Sequence, residues 1–277
     1  MKLSPGSVVV ITGAASGIGE GLARECVQRG HRVALADIEG PALDVLADEL
    51  TAAGGTIVSA VTDVADPDSV AKFAATVFDG LDVPDLVIAN AGVVGPAVPL
   101  WEQHRDAWEW TWRVNQFGVV NTWTAFLPTM IERGTGHIVA TSSVAGVAPG
   151  QTSGNTPYAA TKYAVVALCD NLRFELTDVA PGIEVTALLP GPVRSRIWGA
   201  ARNRPDAFGG PQPPPPPGID PFPTRLEADE FAVLVLDGLE RGPRYLLPNE
   251  DFVERIASHL DGVAAELRQS RSEALRD

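Results

Sequence analysis

Short segments that are apolar at nearly every position alternate with longer helical stretches along this 277-residue chain. Strands are expected within SVVVIT and at residues 32–36, 56–61, 85–89, 137–141, 184–189 and 245–247. Helices are expected at 18–29, 41–53, 66–78, 102–113, 115–132, 157–178, 226–240 and 251–268. A strand that is apolar throughout has both faces buried, which requires a parallel sheet covered by helices on each side. With 45% apolar residues the chain can fill both layers. The expected class is α/β, a doubly wound parallel sheet of about seven strands, in a single domain over residues 1–277.

The loop between the first strand and first helix reads TGAASGIG, Thr12 to Gly19. A glycine-rich string alone occurs by chance, but this one closes a strand and opens a helix. Gly13 permits the tight turn, and Gly17 and Gly19 let backbone and helix N-terminus approach a pyrophosphate, the Rossmann arrangement. Asp37 ends the second strand eighteen residues after Gly19. There it is expected to accept hydrogen bonds from the adenosine ribose and to repel a 2′-phosphate. Ser16 before Gly17 and Ile38 after Asp37 supply no base for such a phosphate. NAD is therefore expected over NADP.

Tyr158 and Lys162 stand four residues apart in TPYAATKYAVVAL. Four residues is about one helical turn, so phenol and ammonium share a face. A free tyrosine has a pKa near ~10 and is a poor base at neutral pH. A neighbouring fixed cation favours phenolate and makes the pair a usable acid/base. A nucleotide site beside a tuned proton-transfer residue points to hydride chemistry.

The ordered set TG-x-x-x-G-x-G, Asn90-Ala91-Gly92 and Tyr158-x-x-x-Lys162 resembles the short-chain dehydrogenase/reductase family from about Ser7 to Ser195. The resemblance implies an NAD(P)-dependent oxidoreductase interconverting an alcohol and a ketone. It implies that Asn115, Ser143, Tyr158 and Lys162 form the catalytic group, with Ser142 the less favoured serine. It implies cofactor contacts from Gly13, Ser16, Gly17, Ile18 and Gly19, and from Asp37, Asp63 and Val64, Asp63 reaching the adenine amino group. Asn90, Ala91 and Gly92 would pack beside the cofactor. Tyr158, Lys162, Pro190, Gly191, Val193 and Ser195 would meet its nicotinamide end, Ser195 standing where a threonine is usual. In such a site Lys162 would hold the nicotinamide ribose, and Asn115 a water relaying the proton. Helices at 115–132 and 157–178 would form a dimer interface, often within a homotetramer.

Ser143 and Tyr158 are fifteen residues apart, about two more than is usual in the family. That lengthens the loop at 151–156, a wall of the substrate pocket, so the substrate does not follow from the resemblance. Val94, Ala145, Val147, Trp198 and Phe208 are expected to line an apolar pocket, suited to a hydrophobic secondary alcohol or its ketone. Two alternatives stay open: an NADPH-dependent ketone or 3-oxoacyl reductase, and a catalytically silent cofactor-sensing protein on the same fold.

Nearly half of residues 205–223 are proline, with five in a row from Pro213 to Pro217. Proline excludes helix and central strand there. The position, inside a loop over residues 191–225, suggests a substrate lid; a partner-docking loop is the other reading.

Net charge is −14, and the field of so acidic a chain repels phosphate, which argues against nucleic acid and anionic membranes. No apolar run reaches the ~18 residues of a membrane span. Cys26 and Cys169 lie in apolar helical stretches and are expected to be buried thiols in a reducing, cytoplasmic compartment. The four histidines are scattered, without metal-ligand spacing, so no metal is expected. Trp108 and Trp112 share a helical face and suggest packing or a subunit interface.

Overall fold

The protein is described from a computed structural model covering residues 3–149, 156–213 and 225–274. The loop at 150–155 and most of the proline run lie outside these described residues. β1 (Val8–Thr12) is buried at all five positions and hands over to α1 (Gly17–Gln28) through the glycine loop. β2 (Arg32–Asp37), α2 (Gly40–Ala52), β3 (Thr56–Val61), α3 (Pro67–Gly80) and β4 (Leu86–Ala89) complete the first half. Then come α4 (Arg105–Trp112), α5 (Gly118–Arg133), β5 (Gly136–Thr141), α6 (Thr156–Val179) and β6 (Ile183–Leu188). A strap containing the 3-10 turn Ile197–Asn203 leads towards α7 (Ala228–Leu239), β7 (Tyr245–Leu246) and α8 (Val253–Ala274).

Local chemistry explains several boundaries. Asp66 caps α3 by accepting from the Asp68 N–H at 3.0 Å, and Pro67 fills the first turn, where no N–H is needed. Gly134, at φ 80°, takes the left-handed conformation that ends α5.

The seven strands pair in parallel in the order β3-β2-β1-β4-β5-β6-β7. Side chains alternate between two cores, as pleated strands require. Val8 and Val10 enter the layer with Phe73, Phe126 and Val165, whereas Val9 and Ile11 enter the layer with Leu22, Leu43 and Phe231. The chain moves outward from β1 to β3 and then returns to β4. That reversal opens a crevice at the carboxyl ends of β1 and β4.

Two helices expected at 102–113 and 115–132 are instead one continuous rod. A π-helical turn, Arg113–Phe117, joins α4 to α5, and a 3-10 turn at Leu100–Glu102 precedes α4. Of the tryptophans, Trp110 and Trp123 are buried, Trp108 and Trp112 are half-buried, and Trp101 is exposed. α8 runs to Ala274, beyond the expected end at 268, and none of its described side chains is buried.

Candidate active site

A cavity of about 550 Å³ lies at the reversal point. Gly13, Ser16 and Ile18 line one end of it. Ser16 precedes α1 in extended conformation, and no side chain caps the helix. Uncapped first-turn N–H groups beside a cavity suit an anion. Gly17 and Gly19 act one layer back. Gly17 has φ +58°, and a Cβ there would stand 2.6 Å from the Ser195 Cβ. A Cβ on Gly19 would collide with the Gly13 carbonyl. These two glycines thus allow close packing of loop and strap, rather than contributing to the cavity wall.

Asp37, at the end of β2, is oriented by backbone. Its Oδ2 accepts from Ala15 N–H at 2.9 Å and its Oδ1 from Glu39 N–H at 3.0 Å. Each carboxylate oxygen keeps a further lone pair for a ligand hydroxyl. Asp63 and Val64 line the same end, Asp63 Oδ1 accepting from Ala65 N–H at 2.9 Å. Asn90 ties three strands together. Its Nδ2 donates to the Thr12 carbonyl at 3.0 Å, and its Oδ1 accepts from Thr141 Oγ1 at 3.1 Å. Asn90, Ala91 and Gly92 all face the cavity.

At the other end Ser143, Tyr158 and Lys162 converge. α6 projects Tyr158 and Lys162 together, with the Lys162 ammonium 5.6 Å from the phenol ring centroid. Ser143 follows β5 and hydrogen-bonds Tyr158. Ser142 does not take that place: its Oγ donates to the Lys162 carbonyl at 2.7 Å, away from Tyr158. Burial raises the Tyr158 pKa, and the Ser143 bond only partly opposes this. Burial likewise pushes Lys162 down to about 8. The protein groups alone therefore disfavour charge on both partners, contrary to a simple lowering of Tyr158 by Lys162.

Asn115 sits in the π-helical turn, fully buried. Its Nδ2 donates to the Val93 carbonyl at 3.0 Å and to Thr161 Oγ1 at 3.1 Å, while Oδ1 accepts from Val93 N–H at 2.8 Å. Both amide protons are thus engaged, which leaves the side chain no donor for a water. Thr161, missed in the sequence, completes the chain by donating to the Tyr158 carbonyl at 2.8 Å.

Pro190, Gly191, Val193 and Ser195 line the cavity beyond β6. Asn249, also unforeseen, holds this segment through its Oδ1, which accepts from Gly191 N–H at 2.9 Å. Of the expected apolar wall, Val94, Ala145, Trp198 and Phe208 line the cavity. Val147 does not; it packs against the main core, and its carbonyl accepts from Tyr163. Trp110 and Ala200 take part in the wall instead. The strap also brings Arg196, Arg202 and Asn203 to Glu39, so bases do reach the neighbourhood of Asp37, from a distant part of the chain.

Among the described residues no group of three or more His, Cys, Asp or Glu could hold a metal, and no helix is long and apolar enough to cross a membrane. Cys26 and Cys169 are buried, and burial pushes both thiols up to about 12.

An uncapped helix start, a backbone-held aspartate at the end of β2 and a buried Ser–Tyr–Lys group around one cleft fit a dinucleotide-dependent oxidoreductase. Comparison with known proteins gives the same class: the short chain dehydrogenase family profile matches residues 7–206. The chain belongs to the short-chain dehydrogenase/reductase family, as an NAD(P)-dependent oxidoreductase of the alcohol dehydrogenase kind. It is 35% identical over 256 residues to the 1-deoxy-11-beta-hydroxypentalenate dehydrogenase of Streptomyces exfoliatus, covering 92% of this chain and 87% of that one. Its fold is similar to that of a short-chain dehydrogenase/reductase from Burkholderia phymatum in complex with NAD. There the TM-score is 0.86 at 28% identity, over 96% and 97% of the two chains. A Sphingobium yanoikuyae short-chain dehydrogenase in complex with NADPH gives 0.76 at 29% identity, over 95% of each.

Proposed function

We propose that this enzyme oxidises a hydrophobic secondary alcohol to its ketone with NAD as cofactor, Tyr158 serving as the base. The observation that carries the reading is the buried Ser143–Tyr158–Lys162 group in the same cavity as Asp37 and the apolar wall of Val94, Trp198, Ala200 and Phe208. The relative from Streptomyces exfoliatus is itself named for oxidising a hydroxyl-bearing substrate, a hydroxypentalenate.

A bound nicotinamide dinucleotide supplies the hydride acceptor and a positive charge at the reaction end of the cleft. The chain's own residues do the rest. Ser143 donates to the substrate oxygen and holds it beside Tyr158. Tyr158 removes the hydroxyl proton. Lys162, anchored on the Thr141 carbonyl at 2.7 Å, stabilises phenolate and keeps two further donors for the ribose. Asn115 fixes the Val93 turn and Thr161, and so the pitch of α6 beneath Tyr158. With both amide protons engaged, its side chain can offer a relay water only the remaining lone pair of Oδ1. Asp37 accepts from the adenosine ribose, and Asp63 and Val64 border the adenine.

The described part of the expected lid, residues 191–213, borders the substrate end of the cavity in this reading, and residues 214–224 lie outside the described residues. Exposed Phe117 and Phe174, on the helical face assigned to a dimer in the family, support a homo-oligomer, dimer or tetramer. Two buried free thiols fit a reducing cytoplasm.

NADH formation against a panel of secondary alcohols, with each cofactor in turn, tests the proposal. Turnover of bulky apolar alcohols with NAD is expected. Reduction of ketones or acyl substrates by NADPH alone, or binding without turnover, would replace this reading with one of its alternatives.

A further inference from the structure

The strap after β6 is fastened to the adenosine end of the cleft by one side chain. Glu39 lies two residues beyond Asp37, and its side chain is 17% exposed. Its Oε2 pairs with Arg196 Nη2 at 2.9 Å. Its Oε1 pairs with Arg202 and accepts from Asn203 Nδ2 at 2.6 Å. Arg202 is itself braced within the strap, its Nη1 donating to the Gly199 carbonyl at 2.9 Å and the Arg196 carbonyl at 3.1 Å. Arg196 also donates to the Ala15 carbonyl of the glycine loop at 3.4 Å. Burial pushes the Glu39 pKa up, but Asn203 and the two arginines outweigh it and hold the group below the usual carboxylate range. Glu39 is thus a carboxylate at neutral pH.

The same short strap carries the apolar wall. Trp198 and Ala200 fall between the two arginines, and Phe208 follows them. All line the cavity that Gly13 and Asp37 line from the opposite side. We propose that Glu39 is the positioning residue of this site: it clasps Arg196, Arg202 and Asn203, fixing the strap across the dinucleotide cleft and with it the substrate wall. This rests on the reading of the cavity as a nicotinamide dinucleotide site. Release of the dinucleotide then requires the clasp to open, and the clasp rather than contacts to the nicotinamide sets the release rate. A single exposed ion pair would matter little here, but Glu39, half-buried, engages three partners at once through both its oxygens.

The test is NADH release from the full-length protein, followed by stopped-flow fluorescence with excess NAD as competitor. Glu39→Gln should release NADH about tenfold faster, the size expected for losing one charged hydrogen-bond set. Glu39→Asp keeps the charge opposite both arginines and should release NADH more slowly than Glu39→Gln, which a purely structural role would not predict. Should Glu39→Gln fail to fold, Arg202→Gln and Asn203→Ala each remove one of the three contacts from the strap side and must each speed release. Equal release rates in all variants overturn the clasp. So does an unchanged NADH rate with tighter NADPH binding, which would make Glu39 a guard against a 2′-phosphate. If the unmodified protein binds no NADH, the dinucleotide reading fails first and the clasp falls with it.

Discussion

Lys162 Nζ donates to the carbonyl oxygen of Thr141 across 2.7 Å, tying the helix of the tyrosine to the last residue of the strand before the serine. This bond sets the spacing between Tyr158 and Ser143, because α6 and β5 meet here through a rigid, buried cation. It also leaves the ammonium below the phenol ring rather than against its oxygen. The lysine therefore positions Tyr158 through α6; burial, not its charge, governs the phenol in the protein alone.

Tyr158→Phe retains the ring and its packing while deleting the acid/base oxygen. Alcohol oxidation should fall by about 100-fold or more, the usual reach of general acid–base catalysis. NADH affinity should stay within about threefold, since the lost hydroxyl is only one contact. Steady-state turnover and fluorescence titration check both. Near-normal turnover in this variant would remove Tyr158 from the mechanism.

Lys162 and Tyr158 also predict a pH profile. The oxidation direction needs phenolate, so kcat/KM should rise with pH; ketone reduction needs phenol, so its rate should fall over the same range. Burial raises Tyr158 in the protein alone, and cations must bring it back. Lys162→Met removes one of them. The midpoint of the oxidation profile should then move to higher pH by about one unit or more, as loss of a nearby positive charge requires. An unmoved midpoint would mean that the lysine serves only as a ribose ligand and anchor.

What could be read from sequence here was what depends on near neighbours. The apolar runs gave the strands, and Asp66-Pro67 gave the start of α3, because caps and periodicity are local. Asp37, Ser143, Tyr158 and Lys162 were found through ordered motifs, and they do meet in one cavity. The Glu39–Arg202 contact was invisible because it joins residues 163 positions apart with no motif to flag either partner. The π-helical turn escaped for a different reason: RVNQF has helical character throughout, and only hydrogen-bond register distinguishes π from α. Val147 misled because a valine next to a catalytic loop looks like pocket wall until the turn at Val144–Gly146 directs it into the core.

Asp37 is expected to set cofactor preference. Both its oxygens are held by backbone N–H groups at 2.9 and 3.0 Å, so the carboxylate cannot swing away from a 2′-phosphate. NADH should bind at least about tenfold more tightly than NADPH, a gap of ~1.4 kcal/mol. Asp37→Ser should narrow the gap by relieving that repulsion, while weakening NADH through loss of a charged acceptor. Calorimetric titration of both cofactors with both proteins measures it. Equal affinities in the unmodified protein would sink the assignment.

His137 gives a stability prediction far from the site. It lies at the start of β5, 2% exposed, with Nε2 2.9 Å from Thr186 Oγ1. Burial pushes its pKa down to about 4; Glu184, 3.7 Å from Nδ1, opposes this only in part. A free histidine titrates near ~6.5. Between those two values the unfolded chain binds a proton that the folded protein refuses. Stability must therefore rise with pH across that window, and it is lost as pH falls from about 6.5 towards about 4. The full window corresponds to a few kcal/mol at most, ~1.4 kcal/mol per pH unit. His31, also buried with its pKa lowered by burial, adds a term of the same sign. Denaturant unfolding of the unmodified protein at a series of pH values should show a steep acid limb. His137→Gln keeps a polar partner for Thr186 without a titrating ring. It should flatten that limb, leaving the two proteins closer in stability at pH ~4 than at pH ~7. Parallel acid limbs in the two proteins would assign the loss to carboxylates instead.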